Sequence, residues 1–326
     1  MQKCTYKVLF VYDILTLMKL PKIPMPNGPL LIIVAAFLWA FDGVIRRNLY
    51  SLPPITIIFF EHIIGLIILT PFVLRSVIKE KITKKEMWIL VFVAMLSGLI
   101  GTLWFTTALL KVHFISFSVV FLLQKLQPLF AITTASIFLK EKFDKRYIKW
   151  AILALVSAYF VTFKNGYVNF ATGEQTVIAA LYALGAAFAW GSSTTFSKMA
   201  LTKISYGVST FYRFLFTTIM AGIVVYLFKY TSSLSLINTS QLGFFVLIAV
   251  STGMVALLIY YKGLSKTKVH ISTILELTFP VIAIFIDMTV YKTTLAPSQY
   301  LAAVILVIAM YQIARLQSYD ISHKTS

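Results

Sequence analysis

Long apolar blocks separated by brief polar punctuation fill the chain from residue 30 almost to its end. A helix crossing a bilayer needs about 17–25 predominantly apolar residues. Ten segments qualify: 30–48, 54–74, 87–109, 114–139, 147–163, 177–197, 207–228, 241–260, 269–291 and 298–314. Their apolar residues run without alternation, so they predict helices rather than the period-two strands of a transmembrane barrel. Pro53-Pro54, Asn165-Gly166 and Pro297 mark three helix ends, since proline and glycine punctuate regular structure. The polar stretch 164–176 is the natural internal boundary. It divides a first five-helix unit, 30–163, from a second, 177–315, with a tail at 316–326.

Residues 1–29 form an extension with a short apolar run, Val8 to Leu17, between Lys3/Lys7 and Lys19/Lys22. The run is too short to span and lacks a small-residue cleavage site. Two readings stay open: an interfacial helix, or a start placed too early with Met25 as the true beginning.

Composition agrees with the pattern. Of 326 residues, 59% are hydrophobic and 12% charged, and the mean hydropathy is +0.87. A soluble domain carries about 25% charged residues, so half the usual charge would have to clothe a water-facing surface. The chain is therefore read as an all-α, polytopic membrane protein. The single cysteine, Cys4, excludes an intramolecular disulfide. His62, His113, His270 and His323 show no metal-ligand spacing, so neither metal nor cofactor is expected.

The net charge of +18 would suggest nucleic acid in a soluble protein. In a membrane protein it follows from Lys and Arg gathered in cytoplasmic loops. With a cytoplasmic N-terminus, 21 of the 29 basic residues fall inside and six outside (Arg46, Arg47, Lys111, Lys164, Lys229, Lys292), while Lys125 and Arg213 lie within spans. Both termini are thus expected in the cytoplasm, at the cell's inner membrane, with lipid and no nucleic acid as partner.

The halves align on each other at an offset of about 151 residues. Phe37-Leu38-Trp39 matches Phe188-Ala189-Trp190, His62 falls opposite Arg213, and Gln124 and Pro128 fall opposite Glu276 and Pro280. Five helices is an odd number, so the second unit crosses in the opposite sense. Inverted repeats of this kind place a substrate site near the midplane, at the repeat interface.

Gln124-Lys125-Leu126-Gln127-Pro128 with Phe138-Leu139-Lys140-Glu141-Lys142, and Ser272-Thr273-Ile274-Leu275-Glu276 with Pro280, resemble the fourth and ninth helices of EamA-type carriers of the drug/metabolite transporter superfamily. The resemblance covers about residues 30–315. It implies ten transmembrane helices in two inverted five-helix repeats around a central cavity, helices 5 and 10 peripheral, and export or exchange of small metabolites by alternating access. Two helix ends depart from the family: Lys140 stands before Glu141 where glycine is usual, and Asp287 to Lys292 replaces a Gly-Glu pair.

Ionisable groups at membrane depth are costly and generally face a bundle interior or wet cavity. They are Asp42, Glu61, His62, Lys125, Arg213 and Glu276. Each could contact substrate, or form a structural pair such as Arg213 with Glu276, or Lys125 with Asp42 or Glu61. Counted along the spans, Asp42, Glu61 and His62 fall in the outer half, Arg213 and Glu276 in the inner half and Lys125 near the middle, flanking a central site. His62, Glu61 and Glu276 are candidate carriers of a coupling proton. Pro128 and Pro280 should kink spans 4 and 9 and free carbonyls, with Gln124 and Gln127, or Thr273 and Glu276, sharing the face before the kink. Trp39 and Trp190, at matched depths, either line the cavity or pack; Trp104, Tyr212 and Tyr260 join that aromatic set. Ala179, Ala180, Ala183, Ala187 and Gly191 are read as a close-packing face of span 6.

The leading expectation is a secondary transporter for a small organic solute, an amino acid or related amphipathic molecule. A phosphorylated-metabolite or nucleotide-sugar exchanger would want several cavity cations, and an integral membrane enzyme a clustered catalytic set.

Overall fold

The computed structural model describes residues 27–111, 124, 126–167, 176–235, 237–289 and 296–322. The Val8–Leu17 run, Lys125, His113 and most of the 164–176 boundary lie outside the described residues. The helices are α1 (Asn27–Ala40), α2 (Asp42–Arg46), α3 (Pro54–Lys79), α4 (Lys84–Val93), α5 (Thr102–Lys111), α6 (Gln127–Phe138) and α7 (Lys145–Thr162) in the first half. In the second half they are α8 (Thr176–Leu201), α9 (Tyr206–Leu227), α10 (Thr239–Val250), α11 (Met254–Ser265), α12 (Val269–Leu275), α13 (Thr278–Thr289) and α14 (Pro297–Ser322). They join into ten passages, of which six are long and apolar enough to cross a membrane by length and composition among the described residues.

Hydrogen bonds between connections sort them onto two opposite faces. On one, Glu80 accepts from the Ser205 backbone N–H and hydroxyl, Lys203 meets Glu86, and Lys198 donates to the Leu264 and Ser265 carbonyls. On the other, Gln241 donates to Ser51, Thr56 meets Ser233, and Gln299 donates to the Val161 carbonyl. The first face carries most of the loop lysines and is called the basic face below.

Packing follows the repeat. α9 lies against α3 and α14 against α7, each joining matched passages of the two halves; α11 against α1 is mirrored by α8 against α4 and α5. The α7–α14 pair turns Ile148, Ile152, Val156, Leu301, Val304 and Val307 outward, the pattern of a pair at the bundle's edge. α8 presents Ala179, Ala183, Ala186 and Ala187 fully buried. At Gly191 an added Cβ would stand 2.6 Å from the Gln127 carbonyl oxygen, so α8 and α6 touch backbone to backbone.

Several passages are interrupted. Between α4 and α5, Ala94–Gly101 winds as a π-helix, a form common at functional sites; its Ser97 carbonyl accepts from Thr102 and from the Trp190 indole. Between α10 and α11 the backbone leaves helical geometry at Ser251 (φ −128°, ψ −85°) and Gly253 (φ −89°, ψ −101°). Passage 9 restarts at α13 after α12, and the described part of passage 4 begins its helix at α6, with Pro280 and Pro128 in the first turn of each. A proline ring excludes the carbonyl four residues back, which here belongs to the repeat-matched pair Gln124 and Glu276. In passage 9 the expected kink is therefore a break preceding the proline.

α6 ends with Lys140 at φ 54°, a left-handed conformation that favours glycine. The Glu141 N–H bonds the Ala135 carbonyl at 3.3 Å, closing a Schellman-type cap. This turn aims the Glu141 carboxylate at the N-terminus of α12.

Candidate functional site

Glu276 stands at the break of passage 9, and its two oxygens are divided between repeats. Oε1 accepts from the Tyr260 hydroxyl at 2.6 Å, and Oε2 accepts from Gln127 Nε2 at 3.0 Å. Tyr260 stacks obliquely on Trp39, ring centroids 5.0 Å apart, and Ser272 donates to its hydroxyl at 3.4 Å. Trp39, Gln127, Tyr260 and Glu276 thus meet in one cluster built from α1, α6, α11 and the α12–α13 break. Gln124 lies half-buried on the preceding turn. Thr273 is almost wholly buried, and its hydroxyl has no hydrogen-bond partner among the described residues.

Arg213 reaches the same region from α9. Its Nη1 donates to the Tyr261 hydroxyl at 3.0 Å, which also bonds Ser197 at 3.0 Å. The anticipated pairing of Arg213 with Glu276 is not formed; a tyrosine answers each instead, Tyr261 for the cation and Tyr260 for the carboxylate.

Asp42 and Glu61 belong to a second cluster nearer the opposite face. Arg46 Nε donates to Asp42 at 2.7 Å and its Nη1 to Glu61 at 2.9 Å. Thr252, in the passage 8 break, donates to Asp42 at 2.7 Å. Arg46 was expected in an outer loop and Lys125 was a candidate partner for these acids. Instead α2 carries the first passage onward, and Arg46 is 92% buried and paired with both acids. The spacing of Asp42 and Arg46, four residues on one helical face, is the signal that identifies the pair. His62 donates from Nδ1 to the Ile58 carbonyl at 2.8 Å, since a carbonyl only accepts, and its ring packs on Phe214.

Three aromatic candidates are engaged elsewhere. Trp190 lies on the Gly101 backbone and Phe105, with its N–H on Ser97. Trp104 covers Gly185. Tyr212 stacks on Phe216 beside a core of Leu90, Ala200, Ile204 and Val208. Lys125 lies outside the described residues.

A third cluster closes the basic face. Glu141 accepts from the Val269 and His270 backbone N–H groups and from His270 Nδ1, while Tyr147 donates to the His270 carbonyl at 2.7 Å. Burial pushes the Glu141 carboxyl up, but the bonds from the His270 ring and the two backbone N–H groups outweigh it, and the group lies below its ordinary value. In the sequence Glu141 stands only within a family motif. Its i-to-helix-terminus role emerges once α6 and α12 are adjacent.

A model of the EamA-like transporter family matches residues 26–163 and again 177–315. The chain belongs to that family. It is a secondary transporter and a multi-pass membrane protein, not an enzyme. Over 296 residues it is 34% identical to the riboflavin transporter ImpX of Fusobacterium nucleatum subsp. nucleatum, covering 89% of this chain and 98% of that one. A solved structure described as the crystal structure of a protein superposes with a TM-score of 0.70 at 15% identity, over 90% of this chain and 98% of the other. That likeness concerns the fold alone.

Proposed function

We propose that this carrier moves riboflavin, by alternating access, through the cluster around Glu276. The observation that carries the reading is the chain-long similarity to a riboflavin transporter. The chemistry of the cluster supports it. A flavin has a flat fused ring whose dione edge carries one N–H donor between two carbonyl acceptors. Trp39 and Tyr260 offer aromatic faces for such a ring. The Gln127 amide offers a donor and an acceptor, and the Glu276 carboxylate accepts from a ring N–H.

The amino-acid expectation rested on mixed acidic and basic groups within the spans. Asp42, Glu61 and Arg46 satisfy one another, which removes most of the charge a zwitterion would use. A phosphorylated substrate is served no better, because Arg46 is already committed to two acids, which leaves too few cations for a phosphate.

The loop lysines support a cytoplasmic basic face at the cell membrane. Glu276, a carboxylate at the broken helix with tyrosine and glutamine donors but no ion-pair partner among the described residues, is our candidate carrier of a coupling proton. Counterflow of radiolabelled riboflavin in proteoliposomes tests the substrate in either direction. Saturable exchange of unaltered riboflavin is expected. Failure of riboflavin to enter or to compete would overturn the reading.

A further inference from the structure

Next to the ring-binding cluster lies an arm that the ring does not use. Arg213, Tyr261 and Ser197 form a hydrogen-bonded row across α9, α11 and α8, and the guanidinium carbon stands 5.7 Å from the Tyr261 ring centroid. Among the described residues, Arg213 Nε and Thr273 Oγ1 are buried without a hydrogen-bond partner, as are Ser192 Oγ on α8 and Ser209 Oγ on α9. Buried polar atoms are almost always paired, and an unanswered guanidinium N–H at membrane depth is especially costly. Arg213 adjoins the ring site through Tyr261, the neighbour of Tyr260, and Thr273 adjoins it from one helical turn before Glu276, so each unanswered atom indicates a ligand that supplies hydrogen-bonding groups.

The arm continues from the ring site. Tyr260 and Tyr261 are sequence neighbours with ring centroids 6.1 Å apart, and Thr273 precedes Glu276 by one helical turn. It leads toward the basic face, since Ser197 and Tyr261 each lie within about 6 Å of the basic-face end of their helices at 1.5 Å per residue. Its groups are hydroxyls with a single cation. Hydroxyls both donate and accept, so such a row complements a neutral polyhydroxyl chain better than a phosphate, which calls for several cations.

We infer that Arg213, Tyr261, Ser197 and Thr273 bind the polyhydroxyl side chain of the flavin and thereby set a preference for the ribityl-bearing molecule over the bare ring. This rests on the flavin reading above. A site built to hydrogen-bond a substrate hydroxyl rejects an analogue lacking it, because its own polar groups are then left unpaired.

The test is counterflow of labelled riboflavin in proteoliposomes, with riboflavin and lumiflavin as competitors; lumiflavin carries a methyl group in place of the ribityl chain. The unsubstituted protein should prefer riboflavin by at least about tenfold, the scale of one hydrogen bond to a charged group. Arg213→Ala and the isosteric Thr273→Val should each weaken riboflavin competition by about tenfold while leaving lumiflavin unchanged. Thr273→Val guards against a folding defect in the arginine variant, and a monodisperse gel-filtration profile checks both. Riboflavin moved with equal competition from lumiflavin overturns this inference and leaves the flavin reading standing, as does equal weakening of both competitors in the variants. A carrier that moves neither flavin overturns the flavin reading and this inference with it.

Discussion

Gln127 of the first repeat donates to Glu276 of the second across 3.0 Å, beside the break of passage 9. The bond ties matched elements of the two repeats together, so movement of one repeat against the other must strain or exchange it. Glu276→Gln keeps the size of the side chain and removes its charge. Uptake driven by an imposed pH gradient should fall at least about tenfold, as expected when a positioned proton carrier is lost, while exchange at equal pH persists. Proteoliposomes with and without a gradient make the comparison. Unchanged gradient-driven uptake would sink Glu276 as the proton carrier.

Arg46 neutralises the buried Glu61 and the partly buried Asp42, so its loss leaves uncompensated charge. Arg46→Ala should destabilise the protein by about 3–5 kcal/mol, read as a lower melting temperature in detergent. The combined Arg46→Met, Asp42→Asn, Glu61→Gln variant should regain most of that stability. If the single and combined variants melt alike, the three residues do not act as a unit.

Glu141 gives the basic face a dependence on pH with a definite sign. Its carboxyl lies below the ordinary value in the folded protein. Its contribution is therefore complete at neutral pH and disappears as pH falls through the depressed folded value. Glu141→Gln should lower stability by about 1–3 kcal/mol at neutral pH, the scale of buried bonds to a charged group. The difference from the parent should close under strong acid. Thermal melts across pH measure it, and a gap constant with pH would refute the assignment.

Gly191 and Gly43 form a matched pair of substitutions. A Cβ at Gly191 meets the Gln127 carbonyl at 2.6 Å and the Ala131 nitrogen at 3.0 Å, both backbone atoms, whereas Gly43 has nothing within 4 Å. Gly191→Ala should cost about 1–3 kcal/mol as α8 is pushed from α6. Gly43→Ala should be neutral or slightly stabilising, because alanine is the better helix former. Equal melting temperatures would mean α8 and α6 are not in backbone contact.

The fold was legible because lipid imposes a length on every apolar run and duplication repeats the polar exceptions at one offset. Pro128 and Pro280 announced irregular helices, and the proline's clash with the carbonyl four residues back explains why the break of passage 9 falls near Glu276. Partner choice was less legible. Arg46 follows the end of an apolar run, where a loop and a continuing helix look alike, so Asp42 and Glu61 were left to seek another cation. Trp39 and Trp190 are equivalent in sequence, yet one faces Tyr260 and the other is fixed by the Ser97 carbonyl. That carbonyl is exposed only because Ala94–Gly101 winds as a wider helix. Tyr261 and Ser197 carried no signal of their own, being ordinary span residues until α8, α9 and α11 converge.

The two faces of the bundle are fastened by different chemistry. Arg46 locks one with fixed charges, and Glu141 and His270 lock the other through a carboxylate, an imidazole and a helix terminus. In an inverted-repeat carrier the alternate state arises when the repeats trade conformations, and identical locks would make the two states equal in energy. With unlike locks they are not equal, and each 1.4 kcal/mol between them tilts the resting population about tenfold. The carrier therefore has a preferred waiting posture written into its side chains.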